Sequence, residues 1–514
     1  ADSGSAILGS SPGIPANDPR GCEGFLFSKP VCDSIPCKVH YPRIMTELQH
    51  AAKATRPRIQ PAEEHDHRPI SVSARLGRLQ FHQSGKFRVL QLADIQDGPK
   101  VSRDTIKLIE ASLDATRPDI VIFNGNQIAG YDSAYALTSR KRRWDAHPAS
   151  VASGAMSDAG EEHREAALRR TRELVHGSIG QMVQPLVARG VPWAVTFGNH
   201  DFQCGLDNAE IESICRSFPG CLNPERDSGH EASTMSSVLP DQPVVACAPG
   251  TFALPVADVD RTREVLGLVL LDSGDYARSG GYGSPSAKAL RFLAEVPSRM
   301  AAQSQRESQG DGPAEPPCAQ LPCMVFQHFA IAQYYQLLKP SAATAARSIE
   351  GYRNFAGNHY VLDEDRTQPG SYLGEGISCP DVDSGEFAML SKSGYFAISA
   401  GHDHRNAFVG TVPAGERSIM MIASPTSGFG SYGPVPANRA ARLFEFDIRH
   451  PYEPRTQLLE YGELVGKPSA GKAYAYGMTS ESKPDSEGMD LLHRPTWWSK
   501  LWDKLVSLVS RSRA

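Results

Sequence analysis

The sequence predicts an α/β layered fold, and three observations carry that prediction. Apolar runs at 87–93, 119–123 and 192–197 alternate with helical patterns, such as Ile106, Ile109 and Leu113 on one face of 104–116. The apolar runs end in polar, Gly-containing turns: Asn124-Gly125-Asn126, Gly198-Asn199-His200-Asp201 and Gly401-His402-Asp403-His404. At 514 residues and 40% hydrophobic composition, the chain has material for a large core. A recurring strand, loop and helix unit places functional groups at strand ends.

Taken in order, residues 1–76 are rich in Pro, Gly, Ser and charge and read as an extended N-terminal arm. A hairpin follows, with arms at 78–81 and 87–93 around the Ser84-Gly85 turn. Then come a helix at 104–116, a strand at 119–123 and a polar insertion at 138–160. A long helix at 161–189 is closed by Gly190, and the strand 192–197 delivers Gly-Asn-His-Asp. Further strands are expected at 265–271, 324–327, 395–399, 419–422 and 443–446, with a linker at 304–317. The main domain spans 77–465, a flexible linker 466–495, and an amphipathic helix 496–514. That helix gathers Trp498, Leu501, Trp502, Leu505, Leu508 and Val509 on one face, away from Lys500, Lys504 and Arg511. The pattern fits a membrane-surface helix and fits equally a helix docked on its own domain.

Composition narrows the function. A net charge of -5 with 22% charged residues argues against a nucleic-acid binder driven by bulk positive charge. No run of about 18 apolar residues is present, so no membrane-spanning helix is expected. The first residue is Ala1 rather than Met, which suits a processed or trimmed product. The 10 cysteines include the clusters Cys22, Cys32 and Cys37; Cys204, Cys215 and Cys221; and Cys318 and Cys323. Local disulfides in an oxidising, extracytoplasmic compartment and reduced thiols in an intracellular protein both stay open.

Five segments, each just past an expected strand, read together as a metal constellation. They are Leu92-Ala93-Asp94-Ile95-Gln96, Asn124-Gly125-Asn126-Gln127, Gly198-Asn199-His200-Asp201, Gln327-His328 and Gly401-His402-Asp403-His404. Residues two apart in extended chain point the same way, so His402 and His404 reach one site together. A lone His328 would more often be structural, but beside four other segments it reads as a ligand. His65 and His67, in the polar arm, do not. The run Arg140-Lys141-Arg142-Arg143 reads as solvated surface, and Tyr282 and Tyr432 as aromatic packing.

On these residues the chain resembles the calcineurin-like metallophosphoesterase superfamily. That superfamily's pattern is Asp-x-His, Gly-Asp, Gly-Asn-His-Asp/Glu, a lone His, then Gly-His-x-His. It is most similar to the purple-acid-phosphatase-like branch of fungi and plants, which also has a Leu-Asp-Ser-Gly segment like 271–274 and a Gly/Tyr-rich run like 428–433. The resemblance implies a four-layer αββα sandwich of two mixed β-sheets flanked by helices. It implies two divalent metals, Mn, Fe or Zn, about 3.5–4 Å apart. Asp94, Gln96 and His404 would hold the first, Asn126 would bridge, and Asn199, His328 and His402 would hold the second. His200 would stabilise the transition state or protonate the leaving oxygen, with Asp201 orienting it. The implied reaction is hydrolysis of a phosphate monoester, on a phosphorylated small molecule or phosphoprotein, by metal-bound hydroxide.

Two positions depart from the family. Asp-x-His is Asp94-Ile95-Gln96 here, and Gly-Asp is Gly125-Asn126. An amide oxygen is a weaker, neutral ligand, and an amide cannot offset cation–cation repulsion as a bridging carboxylate does. One tight metal and one weak or absent metal are therefore expected, with Mn or Mg better tolerated at the altered position. Ala129 stands where purple enzymes carry the iron-bound tyrosine, so the colour is not expected. The rival reading is a catalytically weakened relative that binds a phosphorylated ligand. A third is a membrane-associated scaffold carrying an inherited domain.

Overall fold

The structure, a computed structural model, describes residues 68–146, 158–225, 233–307 and 319–466. In β1 (Lys86–Leu92), Phe87 and Val89 pack to one side, Leu90 and Leu92 to the other. β2 (Ile120–Asn124) repeats this, with Ile120 and Ile122 opposite Val121 and Phe123. Strands apolar on both faces need cover on both. One face here meets a second sheet and the other meets helices.

The first sheet runs β16-β15-β1-β2-β3, with β3 (Trp193–Thr196), β15 (Ala440–Asp447) and β16 (His450–Glu460). β1, β2 and β3 are parallel, while β15 is antiparallel to β1 and β16. The second sheet contains β4 (Ser233–Met235), β5 (Pro243–Ala248), β6 (Thr251–Ala257), β7 (Glu264–Leu271) and β8 (Cys323–Gln327). It is completed by β12 (Tyr395–Ala400), β13 (Val409–Ala414) and β14 (Arg417–Ala423). Its order is β13-β14-β12-β8-β7-β6-β5-β4, and the β7, β8, β12 and β14 stretch is parallel. A small sheet, β10-β11-β9, is built from β9 (Leu338–Ser341), β10 (Ile349–Glu350) and β11 (His359–Leu362).

Between the large sheets, Phe87, Val89, Ile122 and Phe444 interdigitate with Leu254, Leu268, Met324 and Phe326. Phe326 and Phe444 meet edge to face at 5.6 Å. Outside the first sheet lie α2 (Arg103–Thr116) and α3 (Asp158–Arg189), inserting Ile109, Leu113, Ile179 and Val183. Outside the second lie α5 (Ala287–Glu307) and α6 (Glu386–Lys392), inserting Phe292, Leu293 and Leu390. The fold is the four-layer αββα sandwich of two mixed sheets.

Several expectations need correction. Residues 68–76 of the supposed arm are folded onto the domain. Ser71 caps α1 (Val72–Leu76), and Ser73 bonds Asp119 Oδ1 at 2.9 Å. The first arm of the hairpin does not pair with β1 as a strand; Gln80 bridges Ala257 at the end of β6 instead. Of the two cysteine readings left open, the described residues show the reduced one: Cys204, Cys215, Cys221, Cys323 and Cys379 are free, buried thiols, while Cys22, Cys32, Cys37 and Cys318 lie outside the described residues. α5 extends to Glu307, into the expected linker. α4 (Asn208–Arg216) was not foreseen. Among the described residues no helix is long and apolar enough to cross a membrane. The 496–514 helix and residues 1–67 lie outside the described residues.

Candidate metal centre

Parallel strands β1, β2, β3, β8 and β12 each end in one of the five candidate segments. Loops past the carboxyl ends of such strands are where α/β sheets place their ligands. The turn after β2 needs Gly125: its φ is 90°, and an added Cβ would lie 2.5 Å from His328 Nδ1. Asp94, Gln96, Asn126 and His402 themselves hold left-handed backbone, with φ of 51°, 46°, 52° and 69°. Such conformations cost roughly 1–3 kcal/mol each and gather at functional sites.

The two loop systems are tied together across the sheets. His402 N donates to Asp94 Oδ2 at 2.7 Å, and within the second sheet Gly401 N donates to His328 O at 3.1 Å. His328 Nε2 lies 3.0 Å from Asn199 Oδ1, and the His328 and His402 rings are 5.0 Å apart. Asn199, His328 and His402 therefore meet at one place. On the other side, His404 Nε2 lies 3.4 Å from Asp94 Oδ1, with His328 Nε2 at 3.8 Å from the same oxygen.

Backbone carbonyls fix the imidazole tautomers. His328 Nδ1 faces Asn124 O at 3.1 Å and His404 Nδ1 faces Tyr432 O at 2.7 Å. A carbonyl only accepts, so both Nδ1 atoms carry a hydrogen, and in the neutral ring both Nε2 atoms present lone pairs. Those lone pairs face the oxygens of Asn199 and Asp94. His402 Nδ1 and Gln96 Oε1 are buried with no hydrogen-bond partner. An interior so rich in acceptors fits bound cations, each of which would satisfy the acceptors of its own set. Among the described residues, no three His, Cys, Asp or Glu side chains form a metal-holding group unaided. Each candidate set reaches three donors only through an amide: Gln96 beside Asp94 and His404, Asn199 beside His328 and His402.

Burial disfavours charge on His200, His328 and His402. It pushes the His200 pKa down to about 4, and lowers those of His328 and, further, His402. For Asp94, burial acts to raise the pKa, but positive charge on His328 and His404 outweighs it, so beside the protonated imidazoles its carboxyl sits well below the usual range.

Asn126, the bridging position, is oriented by its neighbours. His200 N donates to Asn126 Oδ1 at 2.9 Å, so the amide nitrogen turns inward. Asn126 Nδ2 then donates to Asp94 Oδ1 and to Asn199 Oδ1, both at 3.2 Å. The amide hydrogens link one ligand of each set, where a bridging carboxylate would offer oxygen. Gly198 permits this, because a Cβ there would sit 2.3 Å from Asn126 Oδ1.

Asp201 does not orient the His200 ring as expected. Its two oxygens accept backbone N–H groups of Asn126 at 2.9 Å, Gln127 at 2.8 Å and Gly198 at 2.8 Å, with Ile128 at 3.3 Å. It ties the turn after β2 to the turn after β3, and burial pushes its pKa up to about 7 against those donors. The partner of His200 Nδ1 is Gln203 Oε1 at 2.7 Å. Gln203 stands three residues after His200, a spacing that was readable in a helical turn.

Other neighbours escaped the sequence reading. Asn199 Nδ2 donates to Tyr276 OH at 2.7 Å, and Gln96 Nε2 donates to Tyr131 OH at 2.9 Å. Tyr432 stacks on His404 at 4.1 Å, and Tyr282 meets His402 edge-on at 4.6 Å. These two tyrosines pack, and what they pack against is the centre. The basic run is not plain solvated surface. Arg143 pairs with Asp275, Arg142 lies 3.8 Å over the Tyr276 ring, and Lys141 is exposed.

No family model matches the chain. It is similar to the probable inactive purple acid phosphatase 29 of Arabidopsis thaliana, 20% identical over 406 residues, covering 74% of this chain and 82% of that protein. It is likewise similar to the probable inactive purple acid phosphatase 28 of the same plant, 23% identical over 393 residues, covering 71% and 77%. The phosphatase DCR2 of Saccharomyces cerevisiae is 25% identical over 170 residues, 30% of this chain and 22% of that one. Among solved structures, the yellow lupin purple acid phosphatase PPD1 gives a TM-score of 0.32 at 10% identity, over 74% of this chain and 52% of that one.

Proposed function

The chain being a relative of the calcineurin-like metallophosphoesterases, akin to purple acid phosphatases, we propose that it is a weakened member of that phosphoesterase family. It binds a phosphorylated small molecule or phosphoprotein at a single-cation centre and hydrolyses phosphate esters slowly. Asn199 Oδ1, His328 and His402 would hold the cation. When bound, a divalent cation supplies Lewis acidity to a phosphoryl oxygen. Asp94, Gln96 and His404 are the residues of the second, weaker place.

The observation that carries this reading is the inward-facing amide of Asn126, hydrogen-bonded to Asp94 and Asn199. A carboxylate there would hold two cations together by offsetting their repulsion. An amide nitrogen turns hydrogens toward the same place, which favours oxygen lone pairs and disfavours cations. Gln96 adds to this, since it supplies a neutral oxygen where the family has an imidazole. The words "probable inactive" in the names of three relatives support the same reading.

The test is elemental analysis combined with hydrolysis of p-nitrophenyl phosphate in Mn2+. Wild type should carry one equivalent of metal, and the double variant Asn126→Asp, Gln96→His two, with a rate about 100-fold higher. Two tight equivalents in wild type, or a rate matching that variant, would restore the reading of a fully competent phosphomonoesterase.

A further inference from the structure

His200 is the one candidate side chain whose ring is oriented by a neutral amide, and that amide is in turn held by the basic segment before the 147–157 stretch. Gln203 is 2% exposed. Its Nε2 donates to Lys141 O at 3.1 Å, and its Oε1 lies 2.7 Å from His200 Nδ1. The backbone closes the same contact, since Arg140 N donates to Gln203 O at 3.0 Å. Nearby, Thr138 Oγ1 donates to Cys204 O at 2.7 Å and an Arg140 guanidinium nitrogen donates to Gly205 O at 3.4 Å. The segment 138–141 thus grips the turn that carries His200, and does so through main-chain atoms as well as charge.

Hydrogen-bond directions follow without ambiguity. Lys141 O is a carbonyl and only accepts, so the NH2 of Gln203 must face it. The amide oxygen therefore faces His200, and an amide oxygen also only accepts, so Nδ1 carries the hydrogen. In the neutral ring Nε2 is then bare. Its neighbour is Asn199 Nδ2 at 3.3 Å, a donor, which agrees with this assignment.

We infer that Gln203 is the positioning residue of His200: the relay from Lys141 O through Gln203 fixes the Nδ1–H tautomer, so that His200 offers the centre a hydrogen-bond acceptor. A resting imidazole of this kind accepts a hydrogen from a ligand or water in the centre and has none at Nε2 to give. Protonating a leaving oxygen, the role first expected for His200, would require a second hydrogen on the ring, at Nε2. The inference concerns this chain's own groups and stands whether or not the centre hydrolyses phosphate esters.

The experiment is two-bond 1H–15N correlation on the full chain labelled at histidine nitrogens, without added metal. The His200 signals are identified by their loss in His200→Gln. Wild type should show a protonated Nδ1 and a bare Nε2. Gln203→Leu should shift His200 toward the Nε2–H tautomer, and Gln203→Glu, which keeps an acceptor in place, should retain Nδ1–H. A wild-type spectrum with Nε2–H overturns the inference by itself, even if Gln203→Leu fails to fold. An unchanged tautomer in a folded Gln203→Leu overturns it as well.

Discussion

The two halves of the centre are built on the same plan and differ in their donors. Each half has one imidazole, His328 or His404, whose Nδ1 is fixed by a backbone carbonyl. The half around Asn199, His328 and His402 keeps the residue types of the superfamily pattern that the chain resembles. The half around Asp94, Gln96 and His404 has an amide for an imidazole, and an amide for the bridge between them. Its amide oxygen, Gln96 Oε1, is left buried and unpartnered. Scaffold geometry thus survives where ligand chemistry has changed, because strand ends and left-handed turns set positions independently of what the side chain carries.

The largest expected difference tests this directly. His328→Ala should weaken Mn2+ binding by more than about 100-fold, since even outer-shell partners are worth 10–100-fold. Gln96→Ala should leave it nearly unchanged, as isothermal titration would read. Equal losses would mean that the halves are equivalent after all.

The better-preserved half also rests on a buried acid. Glu386 in α6 bonds Gln327, next to His328, and burial pushes its pKa from 4.5 up to about 7. A carboxyl with a raised folded pKa contributes its stability below the unfolded value and loses it as pH rises through about 7. Between pH 5 and pH 8 wild type should therefore lose up to roughly 3 kcal/mol that Glu386→Gln keeps. Urea unfolding at the two pH values measures it, and parallel pH curves would exclude the mechanism.

Asn126→Ala should cost about 1–3 kcal/mol, because it leaves Asp94 and Asn199 oxygens without their shared donor. If the amide mattered only to cations, stability would not move. The smallest effect is expected from Tyr276→Phe, which removes the hydroxyl on Asn199 and should lower stability by about 1 kcal/mol. The matching Tyr131→Phe, on the Gln96 side, should change Mn2+ affinity less than Tyr276→Phe does.

Much of this arrangement was legible in the chain. Strands β2, β3, β8 and β12 announced themselves as short apolar runs leading into Gly or His, and β1, β7 and β14 as apolar runs leading into Asp or Ser. The layers followed from strand–helix alternation. What escaped notice had physical causes. α5 carries Pro297 inside it, which argues against a helix. α4 was announced by the Asp207 and Glu210 capping box, a signal overlooked beside the louder Gly-Asn-His-Asp. β6 carries Pro255, which hid a strand buried along its length. At the centre, candidate ligands were readable from motif spacing. The partners that orient them, Tyr131, Tyr276 and Gln203, lie outside the motifs. Asp201 was assigned to His200 by the family resemblance, whereas its carboxylate accepts from main-chain donors at Asn126, Gln127, Ile128 and Gly198.

That last carboxylate has a bearing on how the protein ages. Loss of ammonia from Asn126 would turn its amide into the acid that the bridge lacks. The usual route begins with attack by the next residue's main-chain nitrogen, and in this chain that atom, Gln127 N, donates to Asp201 at 2.8 Å. Deamidation at this position is thereby held back, and old preparations should not slowly acquire a second metal.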